Sequence, residues 1–230
     1  MEGAVVARDL TKIYREGRIE VTGVTSVSLQ LNEKEVVGLV GPAGSGKTTL
    51  LSLIGCILRP TKGTLSLYGT EIKDLSERFL PGIRKKYISF IFQRFNLFSA
   101  LTAYENILIA LKLKGMGRTF ADRRAKEVLM EVGLSEKMHF YPLNLSMVDR
   151  QKVAIACALA SDSPIILADE PTGNLDFING VKLMEIFRRL SIEKNKSVLV
   201  ATHDIRIEGI FDRILLMQDG EIIKEKRIRS

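Results

Sequence analysis

The segment Gly41-Pro42-Ala43-Gly44-Ser45-Gly46-Lys47-Thr48 separates a glycine by four residues from a Gly-Lys-Thr triplet, directly behind the apolar run 35–40. Glycines at those offsets let the backbone turn tightly, so that successive N–H groups and a helix N-terminus point at phosphate oxygens. Lys47 then reaches β- and γ-phosphates, and the Thr48 hydroxyl ligates Mg2+. A surface turn rich in glycine would need neither Lys-Thr at those positions nor the apolar helix signal of Leu50, Leu51, Leu53 and Ile54 that follows. Further on, residues 165–168 are an apolar strand ending in Asp169-Glu170. One acid so placed holds the metal's water shell, and the next polarises an attacking water. The residues therefore imply nucleoside triphosphate binding and hydrolysis.

The elements that must position these groups read as an α/β pattern. Strands are expected at 4–7, 27–31 and 35–40, then a helix after the phosphate loop, then a β segment at 63–68 with Gly69 at its turn. From about Thr102 the period changes. Tyr104, Ile107, Leu108 and Leu111 share one helical face, and Ala125, Val128, Leu129 and Val132 another, predicting a helical insertion that ends near Ala160. The runs 165–168 and 197–202 are almost continuously apolar, as in parallel strands covered on both faces. A helix around 181–190 joins them, and strands 213–218 and 221–226 turn at Asp219-Gly220.

Composition bounds the rest. A 230-residue chain with 46% hydrophobic residues suits one α/β domain, with or without an inserted subdomain. Its apolar stretches fall short of the roughly 18 residues of a membrane span, and Met1-Glu2-Gly3-Ala4 does not open a leader, so a non-exported, cytoplasmic protein is expected. Cys56 and Cys157 lack partners at metal-ligand spacing and are expected to be buried, reduced packing residues inside helices. The net charge of +7 comes from scattered basic residues. The clusters Arg84-Lys85-Lys86, Arg123-Arg124 and 224–229 lack interleaved aromatics, which argues for a solvated surface and against a nucleic-acid partner.

An ordered set of residues running over nearly the whole chain resembles the nucleotide-binding subunits of ATP-binding-cassette (ABC) proteins. It comprises Tyr14, the phosphate loop continuing into Thr49, Phe92-Gln93-Arg94, Leu145-Ser146 ahead of Gln151, Asp169-Glu170-Pro171-Thr172, Asn174-Leu175-Asp176 and Thr202-His203-Asp204. The resemblance implies a P-loop NTPase cassette: a RecA-like core with an antiparallel β subdomain over 1–94 and 161–230, and an inserted helical subdomain over 95–160. It implies that ATP and Mg2+ are bound, that an aromatic like Tyr14 stacks on adenine, and that a glutamine like Gln93 touches Mg2+ and the attacking water. The loop begun by that glutamine contacts a membrane subunit. A histidine like His203 holds the γ-phosphate, and an acid like Asp176 lies where two subunits meet. Segments 92–97 and 170–176 are similar to those of the subgroup of lipoprotein-releasing, macrolide-exporting, heterocyst-glycolipid-exporting and cell-division ATPases. The implied partners are a second ATPase subunit and a permease with a large extracytoplasmic domain, on the inner face of the cell membrane. An ATP-gated regulatory subunit that moves no substrate uses the same residues and stays open.

The chain departs from the family at its signature, Leu-Ser-Gly-Gly-Gln, where it has Leu145-Ser146-Met147-Val148-Asp149. In the family this segment opens a helix that grips the ATP of the other subunit, so reduced turnover is expected of a homodimer, and a heterodimer would hold one complete site. Met147 and Val148 add bulk, and Asp149 brings a negative charge. Two unit charges about 6 Å apart at an effective dielectric near 20 repel by roughly 3 kcal/mol, so a misplaced Asp149 outweighs the lost glycines. Lys152 and Cys157 stand where the family usually has arginines.

Overall fold

The computed structural model describes residues 3–72 and 75–229. Met1 and Glu2, read above as part of the N-terminal segment, lie outside them. Two sheets organise the chain. The first is antiparallel, in the order β2-β1-β4-β5, from β1 (Val5–Glu16), β2 (Ile19–Leu31), β4 (Lys62–Leu67) and β5 (Thr70–Glu71). The second has the order β10-β9-β3-β8-β7-β6, from β3 (Val36–Val40), β6 (Ile88–Ile91), β7 (Ile165–Asp169), β8 (Ser197–Thr202), β9 (Arg213–Gln218) and β10 (Glu221–Arg227). Its strands are parallel except β10, which turns back on β9.

Because side chains alternate across a strand, each central strand feeds two cores. Val36, Val40, Ile166, Ala168, Val198 and Val200 face one side, toward α3 (Ala103–Leu113), α4 (Arg118–Glu131), α5 (Met147–Ala160) and α6 (Phe177–Lys194). Val37, Leu39, Ile165, Leu167, Leu199 and Ala201 face the other, toward α1 (Lys47–Ile54) and the antiparallel sheet. All of β3, β7 and β8 is buried, which is why these strands read as unbroken apolar runs.

The expected strands and helices form, with additions. The β1–β2 hairpin extends well past the short runs legible in the sequence, because its tip around Gly17 is exposed and even its alternating apolar residues, Ile19 and Val21, face solvent. The short strand β6 and α2 (Leu80–Tyr87), whose last turn is Arg84-Lys85-Lys86, were not anticipated. Two cysteine readings are corrected. Cys56 is buried but lies past the end of α1, in a left-handed turn at φ 53° whose N–H bonds to Leu53 O. Cys157 is in α5 yet only half-buried.

Core packing leaves little room at β3. A Cβ on Gly38 would lie 2.7 Å from the ring of the fully buried Phe211. Gly38→Ala is therefore expected to destabilise the fold by about 1–3 kcal/mol through overpacking, measured by urea denaturation, and a Phe211→Leu background should recover part of the loss.

Candidate active site

Three neighbouring strands, β3, β8 and β7, end together, and the polar residues that follow them form the site. Register places Val40 beside Thr202 and Asp169 beside Ala201, so the phosphate loop, Glu170 and His203 leave the sheet at one edge. The loop is tied to both sheets by backbone. Gly41 N–H donates to Thr202 O, Gly220 N–H to Ser45 O, and Thr25 N–H to Gly220 O. Gly44 and Gly46 take φ of 78° and 99°, and a Cβ on Gly46 would strike Gly23 O at 2.3 Å. Glycine is required there both by conformation and by the approach of β2.

Lys47, buried at the start of α1, folds back over this loop. Its Nζ donates to Gly41 O and Pro42 O, both at 2.8 Å, and stands 4.0 Å from Glu170 Oε1. Burial lowers its pKa, opposed by the charges of Glu170 and Asp169. Thr48 Oγ1 donates to Asp169 Oδ1 at 3.2 Å, across the mouth of β7. Burial raises the pKa of Asp169, and the Thr48 hydrogen bond works against that rise. A hydroxyl and a carboxylate side by side next to a phosphate loop suit Mg2+, which keeps several waters and takes one or two carboxylates plus phosphate oxygens. Ser45 Oγ, buried in the loop without a hydrogen-bond partner, is a further group that a phosphate or its metal would satisfy. Among the described residues no cluster of three or more His, Cys, Asp or Glu forms an independent metal site.

Glu170 is held from three directions. Its N–H donates to Ala201 O at 2.8 Å, its Oε1 lies 2.9 Å from His203 Nδ1, and its Oε2 accepts from the His203 N–H at 3.4 Å. Its backbone φ is 47°, a left-handed conformation that a glutamate adopts only under constraint. Tyr14, near the end of β1, packs against Gly23, where a Cβ would be 2.8 Å from its ring, and its hydroxyl is 3.2 Å from Thr49 Oγ1. This sets a half-exposed aromatic face beside the loop. Gln93 is not brought into this network. It is exposed just beyond β6, and its amide makes no hydrogen bond among the described residues. Asp176 caps α6, accepting from Asn179 N–H at 3.1 Å and from Asn179 Nδ2 at 2.5 Å.

The signature segment differs from expectation. Ser146 caps α5, and Met147 and Val148 are its first helical residues, without positive φ, so glycine is not needed there for backbone reasons. Asp149, 8% exposed, does not project a free charge. Its Oδ2 accepts from Lys137 Nζ at 2.7 Å and from Ser146 Oγ at 2.8 Å, while its own N–H donates to Ser146 Oγ at 3.1 Å. Burial works to raise its carboxyl pKa, but the Lys137 and Ser146 hydrogen bonds outweigh it and hold the group below the usual range. Lys137 was not found from sequence. It lies 12 residues upstream in a separate turn, and no local pattern marks the pair.

Comparison with known proteins places this geometry among relatives. The profile of the ABC transporter family matches residues 24–173. An uncharacterised ABC transporter ATP-binding protein of Thermotoga maritima is 42% identical over 214 residues, 93% of this chain and 91% of the relative. The lipoprotein-releasing system ATP-binding protein LolD 1 of Caulobacter vibrioides is 37% identical over 228 residues, 99% of this chain and 97% of the relative. The solved dimer of the ATP-binding cassette MJ0796 of Methanocaldococcus jannaschii, bound to ADP and Pi, superposes with a TM-score of 0.91 at 39% identity, covering 98% of this chain and 99% of that one.

The strain at Glu170 is separable from its charge. Gln and Asn both remove the charge, but Asn tolerates left-handed φ. Glu170→Asn is expected to be more stable than Glu170→Gln by about 1 kcal/mol in urea denaturation; equal midpoints would show that the backbone there is unstrained.

Proposed function

Because the chain belongs to the ABC transporter family, we propose that it is the Mg2+-dependent ATP-hydrolysing subunit of a membrane complex of exporter type. The observation that carries the reading is the convergence of Lys47, Thr48, Asp169, Glu170 and His203 at the ends of three adjacent strands. In this reading residues 1–94 and 161–230 are the catalytic core and 95–160 the helical subdomain. Backbone N–H groups of Gly41 and residues 43–48, which Pro42 joins without a donor of its own, hold the phosphates with Lys47 and Thr49, and Tyr14 supports adenine. Thr48, Asp169 and Gln93 hold Mg2+, which when bound neutralises charge that develops on the phosphates. Lys47 exchanges the Gly41 and Pro42 carbonyls for phosphate oxygens.

Glu170 and His203 are paired with each other in the structure, so neither acts until the pair opens. Once separated, Glu170 accepts a proton from the attacking water and His203 supports the γ-phosphate. Gln93, outside the network here, joins when its loop moves inward. Two such chains, or this chain with a second ATPase subunit, close around two ATP molecules with Asp176 at the junction. The closed state drives a permease with a large extracytoplasmic domain, from the inner face of the membrane.

The signature serves the other subunit's nucleotide in this reading, and here its serine is already engaged. Ser146 Oγ donates to Asp149, so its hydroxyl proton is not free for an incoming phosphate. Met147 adds bulk at the same point, and turnover of a homodimer is slow for both reasons.

Two experiments test the proposal. Glu170→Gln should retain ATP binding, followed with a fluorescent nucleotide, while phosphate release falls by about 100-fold or more, whereas Lys47→Ala should lose binding itself. Undiminished phosphate release in Glu170→Gln would assign the base elsewhere. Replacing Met147 and Val148 by Gly and Asp149 by Gln together should raise turnover several-fold; no change would mean that the altered segment already supports the full rate.

A further inference from the structure

The residues around Tyr14 are tied to the first turn of α1 and to the segment that follows that helix. At the first turn the Tyr14 hydroxyl and Thr49 Oγ1 are 3.2 Å apart. Past the helix, Thr61 N–H donates to Thr11 O at 2.7 Å, Ile13 N–H donates to Thr61 Oγ1 at 3.0 Å, and Lys12 Nζ donates to Arg59 O at 2.9 Å. The pairing of β1 with β2 shifts register on both sides of Lys12. Irregularities of this kind re-aim side chains, so contacts outside the ladder weigh more in setting where Lys12 and Tyr14 point.

The Lys12 ammonium stands over the Tyr14 ring, 5.5 Å from its centroid. A cation in that position is drawn to the electron-rich face of the ring. Among the described residues its other partner is the Arg59 carbonyl, and neither partner is an acid, so its charge bears on the ring unneutralised. The ring is bounded in three ways: by the backbone of Gly23, where a Cβ would be 2.8 Å away, by Thr49 at its hydroxyl, and by Lys12 over its face. It nevertheless stays 39% exposed. An exposed tyrosine without such supports loses rotamer freedom when a ligand stacks on it, and that loss weakens binding. Here the loss is met in the folded chain, before any ligand arrives.

We propose that Lys12 is a positioning residue for the nucleoside: its ammonium, anchored on the Arg59 carbonyl, holds the Tyr14 ring in the orientation on which a purine stacks. The inference rests on the reading of Tyr14 as the support for adenine and adds the residue that presets that support. The purine meets the exposed part of the ring, away from Lys12, so Lys12 acts through Tyr14 without touching the ligand. It lies outside residues 41–49, which hold the phosphates in the same reading. Its removal is therefore felt by the base and not by the phosphate chain.

The test is isothermal titration calorimetry on the whole chain with Mg2+, comparing ADP with pyrophosphate, which offers the same phosphates without the nucleoside. Lys12→Met keeps an unbranched apolar side chain and removes the charge. It should weaken ADP about three-fold, the magnitude of one cation–π contact, and leave pyrophosphate unchanged. Lys12→Arg, which keeps the cation and its donors, should bind ADP as the parent chain does. In a Tyr14→Leu background, Lys12→Met should cost nothing further, because the two residues act as one unit. ADP affinity unchanged or raised in Lys12→Met overturns the proposal. So does an equal loss for pyrophosphate, which would make Lys12 a charge acting on the phosphates or on the fold, and so does the same loss with Tyr14 already removed. The parent chain separates this inference from the reading it rests on. A parent that binds pyrophosphate as tightly as ADP removes the adenine role of Tyr14 and the inference together, whereas a parent that prefers ADP, with Lys12→Met indistinguishable from it, removes the inference alone.

Discussion

The register of three buried parallel strands is the constraint on which the rest depends. β3, β8 and β7 are covered on both faces, so they tolerate no polar side chain along their length except where they emerge. Polarity begins at Gly41, Asp169-Glu170 and Thr202-His203, and pairing brings those points to one edge. A one-residue slip of β7 would send Ile166 and Ala168 into the opposite core and turn Asp169 away from Thr48. Hydrophobic burial, a non-directional force, thus sets the 3.2 Å contact between Thr48 and Asp169.

The second constraint is charge balance without a nucleotide. Lys47 is buried, and the fold must supply partners or neutralise it. It supplies carbonyls of the loop and two nearby carboxylates, one of which is itself held by His203. The cluster is internally satisfied, yet each bond in it is one that a phosphate, a metal or a water could replace. At the start of α5 the balance is tighter. Asp149 brings an anion to the helix N-terminus, Lys137 neutralises it, and Ser146 closes the set. What reads in sequence as an uncompensated negative charge is a satisfied intrachain pair.

How far the sequence disclosed this follows from the range of each interaction. The phosphate loop, the acid pair and the apolar runs of β3, β7 and β8 are local patterns, and they were legible. β6 was not, because Ser89 interrupts its four residues and the hydrogen bond that buries that hydroxyl, to Ala158 O, comes from another element. α2 carries a basic last turn that resembled a solvated cluster. Cys56 followed an apolar helical run closely enough to be assigned to it, although the chain turns left-handed there. Lys137 and Asp149 meet only through tertiary structure, and neither residue type at its own position indicates the other.

Glycine supplies the remaining link, between nucleotide binding and the rest of the fold. Gly23 of β2, Gly46 of the phosphate loop and Gly220 of the β9–β10 turn meet at a junction where a side chain on Gly23 or Gly46 does not fit. A Cβ on Gly46 would reach Gly23 O at 2.3 Å, and one on Gly220 would reach it at 3.4 Å. Backbone hydrogen bonds from Gly220 to Ser45 and from Thr25 to Gly220 close the junction. The hairpin that carries Tyr14 is therefore fixed to the loop by main chain, and Tyr14 itself leans on Gly23 and reaches Thr49. Main-chain contacts of this kind have few alternative arrangements, unlike rotatable side chains. The aromatic face is thus tied to the phosphate loop through main chain, whereas Lys47 and the Glu170–His203 pair are held there by side-chain bonds and Gln93 is exposed.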